Sequence, residues 1–309
     1  MKIVLLDALT FGETDLSAFE SVGDVTVYQT TSVDETQERV KGADVIVTNK
    51  VIITDEIMQN SSNLKLICVA ATGMNNVDLV SAKERGIEVK NVAGYSTQSV
   101  IQHTFSMLFY LLGHSRYYDE VVKDGRYSKS PIFTDVSQPF FEIKGKKWGI
   151  IGLGAIGRGV ANIATAFGAQ VSYFSTSGQN STDDFTQSSL DEMLKSCDII
   201  SIHAPLNAQT DNLLDYQELQ ICKDGVTILN LGRGGIINED AVAKIIDEKN
   251  IAFGLDVLTK EPMRENHPFL SVERKENLYV TPHIAWTSVE AREALIASVI
   301  QNILDSKVG

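Results

Sequence analysis

At 309 residues, 43% of them hydrophobic and 22% charged, the chain is long enough for two domains of ordinary size and reads as a globular protein of the aqueous phase. Twenty-seven basic residues against 40 acidic ones give a net charge of −13, which disfavours nucleic acid and anionic membranes as partners and obliges any anionic ligand to find a local positive pocket. No apolar run reaches the length of a membrane span.

The chain opens MKIVLLDALTFGETD, where Asp7 interrupts a short apolar run and no small-residue cleavage site follows, so it reads as a first strand and not a secretory leader. KIVLL (2–6), DVTVY (24–28), ADVIVT (43–48) and LKLICV (64–69) then recur with helical or polar segments between them. The stretch 98–128, beginning QSVIQHTFSMLFYLLGHSRYY, is apolar-rich and helical throughout; it fits a domain connector, a dimer surface or an ordinary core helix. Residues 128–145, with two prolines, read as an ordered loop. Cys68, Cys197 and Cys222 are odd in number, widely spaced and set in apolar segments, which fits reduced thiols of a cytoplasmic protein and suggests no metal site.

KKWGIIGLGAIGR, Lys146 to Arg158, follows in mid-chain. Its apolar run, three glycines and a following face of Ile156, Val160, Ile163 and Phe167 make strand, tight turn and helix. In that setting Gly152 permits the turn, Gly154 lets backbone approach a pyrophosphate, and Gly157 allows close helix packing. Glycine-rich turns also join strands to helices for steric reasons alone, and only the flanking pattern favours a nucleotide. QVSYF, DIISI, VTILN, IAFGL and LYVT complete a β/α rhythm. Continuous Val/Ile/Leu runs suit strands covered on both faces, so the fold expected is α/β: two doubly wound parallel-sheet (Rossmann-like) domains with a cleft between them. A last helix is expected from Thr287 and Glu290 in capping-box spacing, with Val289, Leu295, Val299 and Ile303 on its apolar face.

Where a dinucleotide fingerprint usually carries an acid for the adenosine ribose, this chain reads YFSTSGQN, with Ser175, Thr176 and Ser177 at the strand end; hydroxyls can bond a ribose or a 2′-phosphate. NLGRGG (230–235), GLDVLTKEP (254–262) and TPHIAW (281–286) each place a residue of catalytic type after an apolar strand. In an open parallel sheet the carboxyl ends of strands line the ligand crevice, so Arg233, Asp256, Glu261 and His283 should converge there. Taken singly, His283 could be a satisfied turn histidine, Glu261 a solvated charge and Arg233 part of a flexible turn. Together they offer a two-pronged carboxylate grip and a tunable acid/base pair. His103 is expected inside the long helix, His203 as pocket wall, and His114 and His267 at the surface.

These segments, in this order, resemble the D-isomer-specific 2-hydroxyacid dehydrogenase family over nearly the whole chain. The resemblance rests on GLGAIGR, HAPL, NLGRGG, LDVLTKEP and TPHIAW, with ATGMNNVDL (71–79) and NVAGYSTQSV (91–100) in the first half. ATGMNNVDL and NVAGYST are most similar to glycerate dehydrogenases, also called hydroxypyruvate reductases. The resemblance implies a flavodoxin-like substrate domain of residues 1–97 plus 286–309, with a dinucleotide-binding domain, 98–285, inserted between; this accounts for the glycine turn's mid-chain position. The stretch after Gln98 is similar to the family's dimerisation region, so a homodimer is expected.

The resemblance further implies that Arg233 clamps the substrate carboxylate and polarises the carbonyl, that His283 exchanges the proton, and that Glu261 holds His283 and raises its pKa. Thr72, Gly73 and Met74 would offer N–H groups to the carboxylate, and Trp286 would border the substrate pocket or hinge. Gly152, Gly154, Ala155, Ile156, Gly157 and Arg158 would meet the pyrophosphate. Ser175, Thr176, His203, Ala204, Pro205, Thr210, Leu231, Gly232, Asp256 and His283 would complete the cofactor contacts, with Asp256 orienting the nicotinamide amide. Two departures stand out. Ser175 replaces an acid that many members carry, which leaves NAD against NADP open. Ile101-Gln102-His103 replaces Ala-Glu-His, where structural consequences alone are expected.

The activity implied is NAD(P)-dependent interconversion of a small 2-keto acid, hydroxypyruvate or glyoxylate favoured, and its D-2-hydroxy acid. Lactate, phosphoglycerate or phosphonate are alternative substrates, and the want of a long C-terminal regulatory domain speaks against the longer phosphoglycerate enzymes. A non-catalytic NAD(H)-sensing, co-repressor-like protein is the other class. Against it stands the joint presence of Arg233, Glu261 and His283, since a binding module needs no acid/base pair.

Overall fold

The computed structural model describes residues 1–306, and it forms two compact units: residues 1–96 with those from Trp286 onward, and Thr97–Ala285. The last three residues of the segment 286–309 lie outside the described residues.

The first unit holds β1 (Lys2–Leu5), β2 (Asp24–Val27), α1 (Val33–Arg39), β3 (Val45–Thr48), α2 (Asp55–Gln59), β4 (Leu66–Val69), α3 (Leu79–Glu84) and β5 (Glu88–Asn91). Its strands are all parallel, in the order β2-β1-β3-β4-β5. Ile3, Leu5, Val45, Val47, Leu66 and Cys68 pack on one face with Leu295, Val299 and Ile303 of the C-terminal helix (Val289–Leu304), while Val4, Leu6, Ile46, Ile67 and Val69 fill the other. Successive side chains are thus buried on opposite faces, which is why these strands read as unbroken apolar runs. Asp7, the residue that interrupts the first run, turns out to be buried: its carboxylate accepts the N–H groups of Asn49 (2.9 Å), Lys50 (2.6 Å) and Val51 (3.3 Å), tying β1 to the loop after β3.

Two details differ from the sequence reading. β5, with the sequence EVKN, is a half-exposed edge strand and carries no apolar run to betray it. The C-terminal helix is capped by Ser288, whose hydroxyl accepts from Ala291 N at 3.2 Å, and not by Thr287. The buried row is accordingly Ala291, Leu295, Val299 and Ile303, and Val289 is left 58% exposed.

The second unit holds α4 (Thr97–Leu112), α5 (Ser115–Lys123), β6 (Lys147–Ile151), α6 (Ala155–Ala166), β7 (Gln170–Phe174), β8 (Thr186–Gln187), α7 (Leu190–Ser196), β9 (Ile199–Ile202), α8 (Tyr216–Ile221), β10 (Val226–Asn230), α9 (Glu239–Glu248), β11 (Ile251–Leu255) and β12 (Leu278–Val280). All pairings are parallel and the order is β12-β11-β10-β9-β6-β7-β8. The chain moves outward from β6 to β8, then returns to the other side of β6 at β9. The switch point therefore lies between β6 and β9, where doubly wound sheets place their ligand crevice.

The long helical stretch is broken at Gly113-His114, with His114 in the left-handed region (φ 48), so it forms two helices. α4 is a core helix: Val100, Ile101, Thr104, Phe105, Met107, Leu108 and Leu111 are buried. α6 meets it through small residues. Its buried face is Gly157, Val160, Ala161 and Ala164, whereas Ile163 and Phe167 of the anticipated row are 39% and 46% exposed. A Cβ on Gly159 would lie 2.2 Å from Ile101 Cδ1, so the two helices pack closer than larger residues permit.

Candidate active site

The glycine turn is built by steric necessity. Gly152 follows β6 with φ +91, and a Cβ there would stand 2.8 Å from Ala204 N, so both conformation and space require glycine. A Cβ on Gly157 would lie 2.2 Å from Gly152 O, which presses α6 onto the turn. Gly154 would meet nothing within 4 Å, so its side of the turn is open to a ligand. The first helical bond runs from Arg158 N to Gly154 O (3.0 Å); the N–H groups of Ala155, Ile156 and Gly157 precede it and face the open end.

Two buried polar atoms without a partner among the described residues, Ser175 Oγ and His203 Nδ1, sit just past β7 and β9. These are the strands on either side of β6, as a ligand laid across the turn requires. Burial pushes the His203 imidazole down to about 3, so it is neutral, with Nε2 3.1 Å from Ser201 Oγ. Ser201 Oγ also accepts from Trp148 Nε1 at 3.0 Å. Thr210, anticipated at the cofactor, is fully buried and uses its hydroxyl inside its own turn, donating to Pro205 O at 2.6 Å.

From this turn, close contacts run strand by strand across the carboxyl edge. A Cβ on Gly232 would lie 2.6 Å from Ala204 O, so the NLGRGG loop is pressed on the loop after β9, which itself touches Gly152. Asn230 shapes that loop, its amide donating to Arg233 O (2.9 Å) and its carbonyl oxygen accepting from Gly232 N (3.0 Å). Arg233 is half-buried and donates through Nη1 to Gly232 O at 2.8 Å. On its other side, a Cβ on Gly234 would lie 2.0 Å from Leu258 C and O. The loop 257–261 so gripped carries Glu261, whose Oε1 accepts from Leu258 N (3.0 Å) and whose Oε2 is 2.7 Å from His283 Nδ1. His283 sits in the left-handed region (φ 55), an uncommon conformation for a side chain of this size.

Asp256 does more than was read from the sequence. It is 1% exposed, and its carboxylate accepts from Thr281 Oγ1 (2.6 Å), Ile284 N (2.8 Å) and Ala285 N (2.9 Å), while its carbonyl accepts from His283 N (2.9 Å). It therefore moulds the loop that holds His283; a carboxylate has more acceptor capacity than these three bonds use. His103 joins this network, with Nε2 3.2 Å from Thr281 Oγ1 and 3.6 Å from Asp256 Oδ1, so it is closer to the site than its place in a helix suggested. Burial lowers the His103 imidazole, with Asp256 opposing.

His267, anticipated at the surface, is buried: its Nε2 lies 2.9 Å from Glu239 Oε2, and Glu239 Oε1 accepts from Thr259 N at 2.5 Å. Glu239 and Thr281 were missed because their bonds run between segments distant in sequence, and Asn230 because its bonds depend on how the loop after it folds back. Asn230, a polar residue ending the buried run VTILN, carried the one legible signal. Thr72, Gly73, Met74 and Trp286 belong to the first unit. Thr72 Oγ1 donates to Val92 O (3.1 Å) and Trp286 meets the Tyr95 ring edge to face at 6.2 Å.

A glycine turn at a switch point, an arginine loop and a carboxylate-held histidine on one strand edge define an oxidoreductase of the dinucleotide-dependent kind. Residues 105–285 match the family described as D-isomer specific 2-hydroxyacid dehydrogenase, NAD binding domain. The hydroxypyruvate reductase of Blautia hydrogenotrophica is 35% identical over 98% of this chain and 96% of its own. The glycerate dehydrogenase of Methylorubrum extorquens is 32% identical over 98% and 95%. Among solved structures, an acyclic imino acid reductase in complex with NADPH and D-Arg superposes with a TM-score of 0.85 at 31% identity, covering 98% of this chain and 96% of that one. The chain belongs to the D-isomer-specific 2-hydroxyacid dehydrogenase family, and its cofactor is a nicotinamide dinucleotide, NAD or NADP. Among the described residues no helix is long and apolar enough to cross a membrane.

Proposed function

We propose that this chain reduces hydroxypyruvate or glyoxylate to the D-2-hydroxy acid and runs the reverse oxidation of the same pair. The observation that carries the reading is the 2.7 Å contact of His283 Nδ1 with Glu261 Oε2, on the strand edge that also holds Arg233. Glu261 fixes the imidazole plane and leaves Nε2 to give a proton to the substrate oxygen on reduction and to take it back on oxidation. Arg233 offers a planar fork that grips the substrate carboxylate and polarises the reacting carbonyl. The bound nicotinamide supplies or receives the hydride at the substrate carbon.

The turn Gly152 to Gly157 and Arg158 would hold the pyrophosphate, Ser175 and Thr176 the adenosine ribose, and Ala204, Pro205, Leu231 and Gly232 the wall beside it, with His203 behind. Asp256 would orient the nicotinamide amide with its remaining acceptor capacity while it moulds the His283 loop. In the first unit, Thr72, Gly73 and Met74 are proposed as N–H donors to a carboxylate, and Trp286 as an aromatic wall. Residues 1–97 plus 286–309 would serve the substrate and 98–285 the dinucleotide.

A homodimer is supported by the exposed apolar residues Phe133 (89%), Val136 (75%) and Phe140 (65%) after α5; a mass in solution of twice the chain tests it. The three free, buried cysteines support a reducing compartment such as the cytoplasm. Steady-state rates over a panel of 2-keto acids, each with NADH and NADPH, test the substrate. Hydroxypyruvate or glyoxylate should exceed pyruvate in kcat/KM by about 10-fold or more; pyruvate as the best substrate would overturn the assignment.

A further inference from the structure

The strand edge beyond β7 carries a second consequence, which rests on the dinucleotide reading above and concerns which dinucleotide is taken. We infer that the site selects NADPH over NADH, with the 2′-phosphate received between the hydroxyls of Ser175 and Thr176 and the guanidinium of Arg158, whose several donors serve this phosphate as well as the pyrophosphate assigned to it above.

The first ground is the chemistry at the strand end. Discrimination against a 2′-phosphate depends on an acid that bonds the ribose hydroxyls and repels a further negative charge. From Tyr173 to Thr182 this chain has no carboxylate. Ser175 Oγ is buried without a partner among the described residues, so an acceptor brought within its reach relieves an unsatisfied hydroxyl.

The second ground is a cation on the correct side of the turn. Arg158, in the first turn of α6, reaches toward the β7 side, where its Nη2 donates to Ser181 O at 2.9 Å. That bond anchors the guanidinium to the segment following Ser175. Its partner is a carbonyl and not a carboxylate, so the positive charge stays uncompensated, and most of its N–H donors remain for phosphate oxygens. Among the described residues Arg158 makes no ion pair, and Asp184 Oδ2 accepts from Thr182 Oγ1 at 2.9 Å, within its own turn. In a chain of net charge −13, an anchored arginine beside a run of hydroxyls is the local positive site that a 2′-phosphate needs.

The test is direct titration of the whole protein with NADPH and with NADH, read by calorimetry or by quenching of tryptophan fluorescence, in the absence of substrate. NADPH should bind at least ~10-fold more tightly, and the ratio should shrink as salt is raised to about 0.5 M, because phosphate–guanidinium attraction is screened. Ser175→Asp should cut the ratio of NADPH to NADH affinity by ~10-fold or more, and Ser175→Ala should weaken NADPH more than NADH; an unchanged ratio in Ser175→Asp overturns the inference. Equal or tighter binding of NADH by the parent protein overturns the inference while leaving the dinucleotide site intact. Binding of neither overturns the site as well.

Discussion

The imidazole of His283 is held on two sides. Glu261 takes Nδ1 at 2.7 Å, and the backbone N–H donates to Asp256 O at 2.9 Å, which keeps the residue at a positive φ that costs about 1 kcal/mol or more in an unconstrained chain. Arg233 is held differently, by glycines on both sides that admit neighbouring loops to its backbone. Replacing Arg233 with Lys removes the planar fork and keeps the charge, so kcat/KM should fall at least ~100-fold, or about 2.7 kcal/mol. Near-normal turnover of Arg233→Lys would remove the fork from the mechanism. His203 makes a stability prediction instead. It is neutral in the fold, pushed down to about 3, whereas the unfolded chain takes up that proton near its ordinary 6.5. A depressed folded value means stability is full above the unfolded value and is lost as pH falls below it, by up to about 1.4 kcal/mol per pH unit. His103, lowered too, adds a slope of the same sign. Denaturant midpoints at pH values between about 7 and 5.5, above the ordinary carboxylate range, should therefore decline, and the decline should be shallower in His203→Gln. An equal slope in both proteins contradicts it.

At the scale of elements, the loops beyond β9, β10 and β11 are locked by glycines and by one polar clamp. Gly234 admits Leu258, and Glu239 on α9 holds Thr259 N and His267, so the segment bearing Glu261 has no slack. Gly234→Ala would push a Cβ against Leu258, displacing Glu261 from His283. Its kcat should fall ~100-fold or more, because misplacement by an ångström suffices, while dinucleotide affinity, assigned above to the turn at Gly152, should change little. Unaltered kcat would show that the loop is slack. Much of this level was legible in the sequence, because central parallel strands are apolar on both faces and glycine turns are short-range features. Less legible were elements shaped by distant partners. β5 is recognised by its pairing with β4 and not by EVKN. The break at Gly113-His114 hides inside an apolar run, and His267 is buried only because Glu239 arrives from α9. Within the candidate site, the arginine, glutamate and histidine that share one strand edge could be picked out by residue type and by their place after apolar strands. The duty of Asp256 toward Thr281, Ile284 and Ala285 could not, since it depends on where three N–H and O–H groups arrive in space.

For the whole molecule, strand order does what sequence distance conceals. Gly152, Arg233, Asp256 and His283 are far apart along the chain, yet each follows a strand of one sheet, and the parallel strand order beside the reversal at β6 puts all four on its carboxyl edge. The strongly acidic composition would repel anionic substrate and cofactor alike, so the binding proposed above would rest on Arg233, Arg158 and the N–H groups of α6. Oxidation of the reduced cofactor on addition of hydroxypyruvate or glyoxylate, compared between the parent protein and His283→Asn with cofactor affinity measured on both, tests the central claim most directly. The parent should turn over, and His283→Asn should lose ~1000-fold or more in kcat while still binding the dinucleotide. Turnover of His283→Asn near the parent's rate would contradict the assignment of the proton to this imidazole.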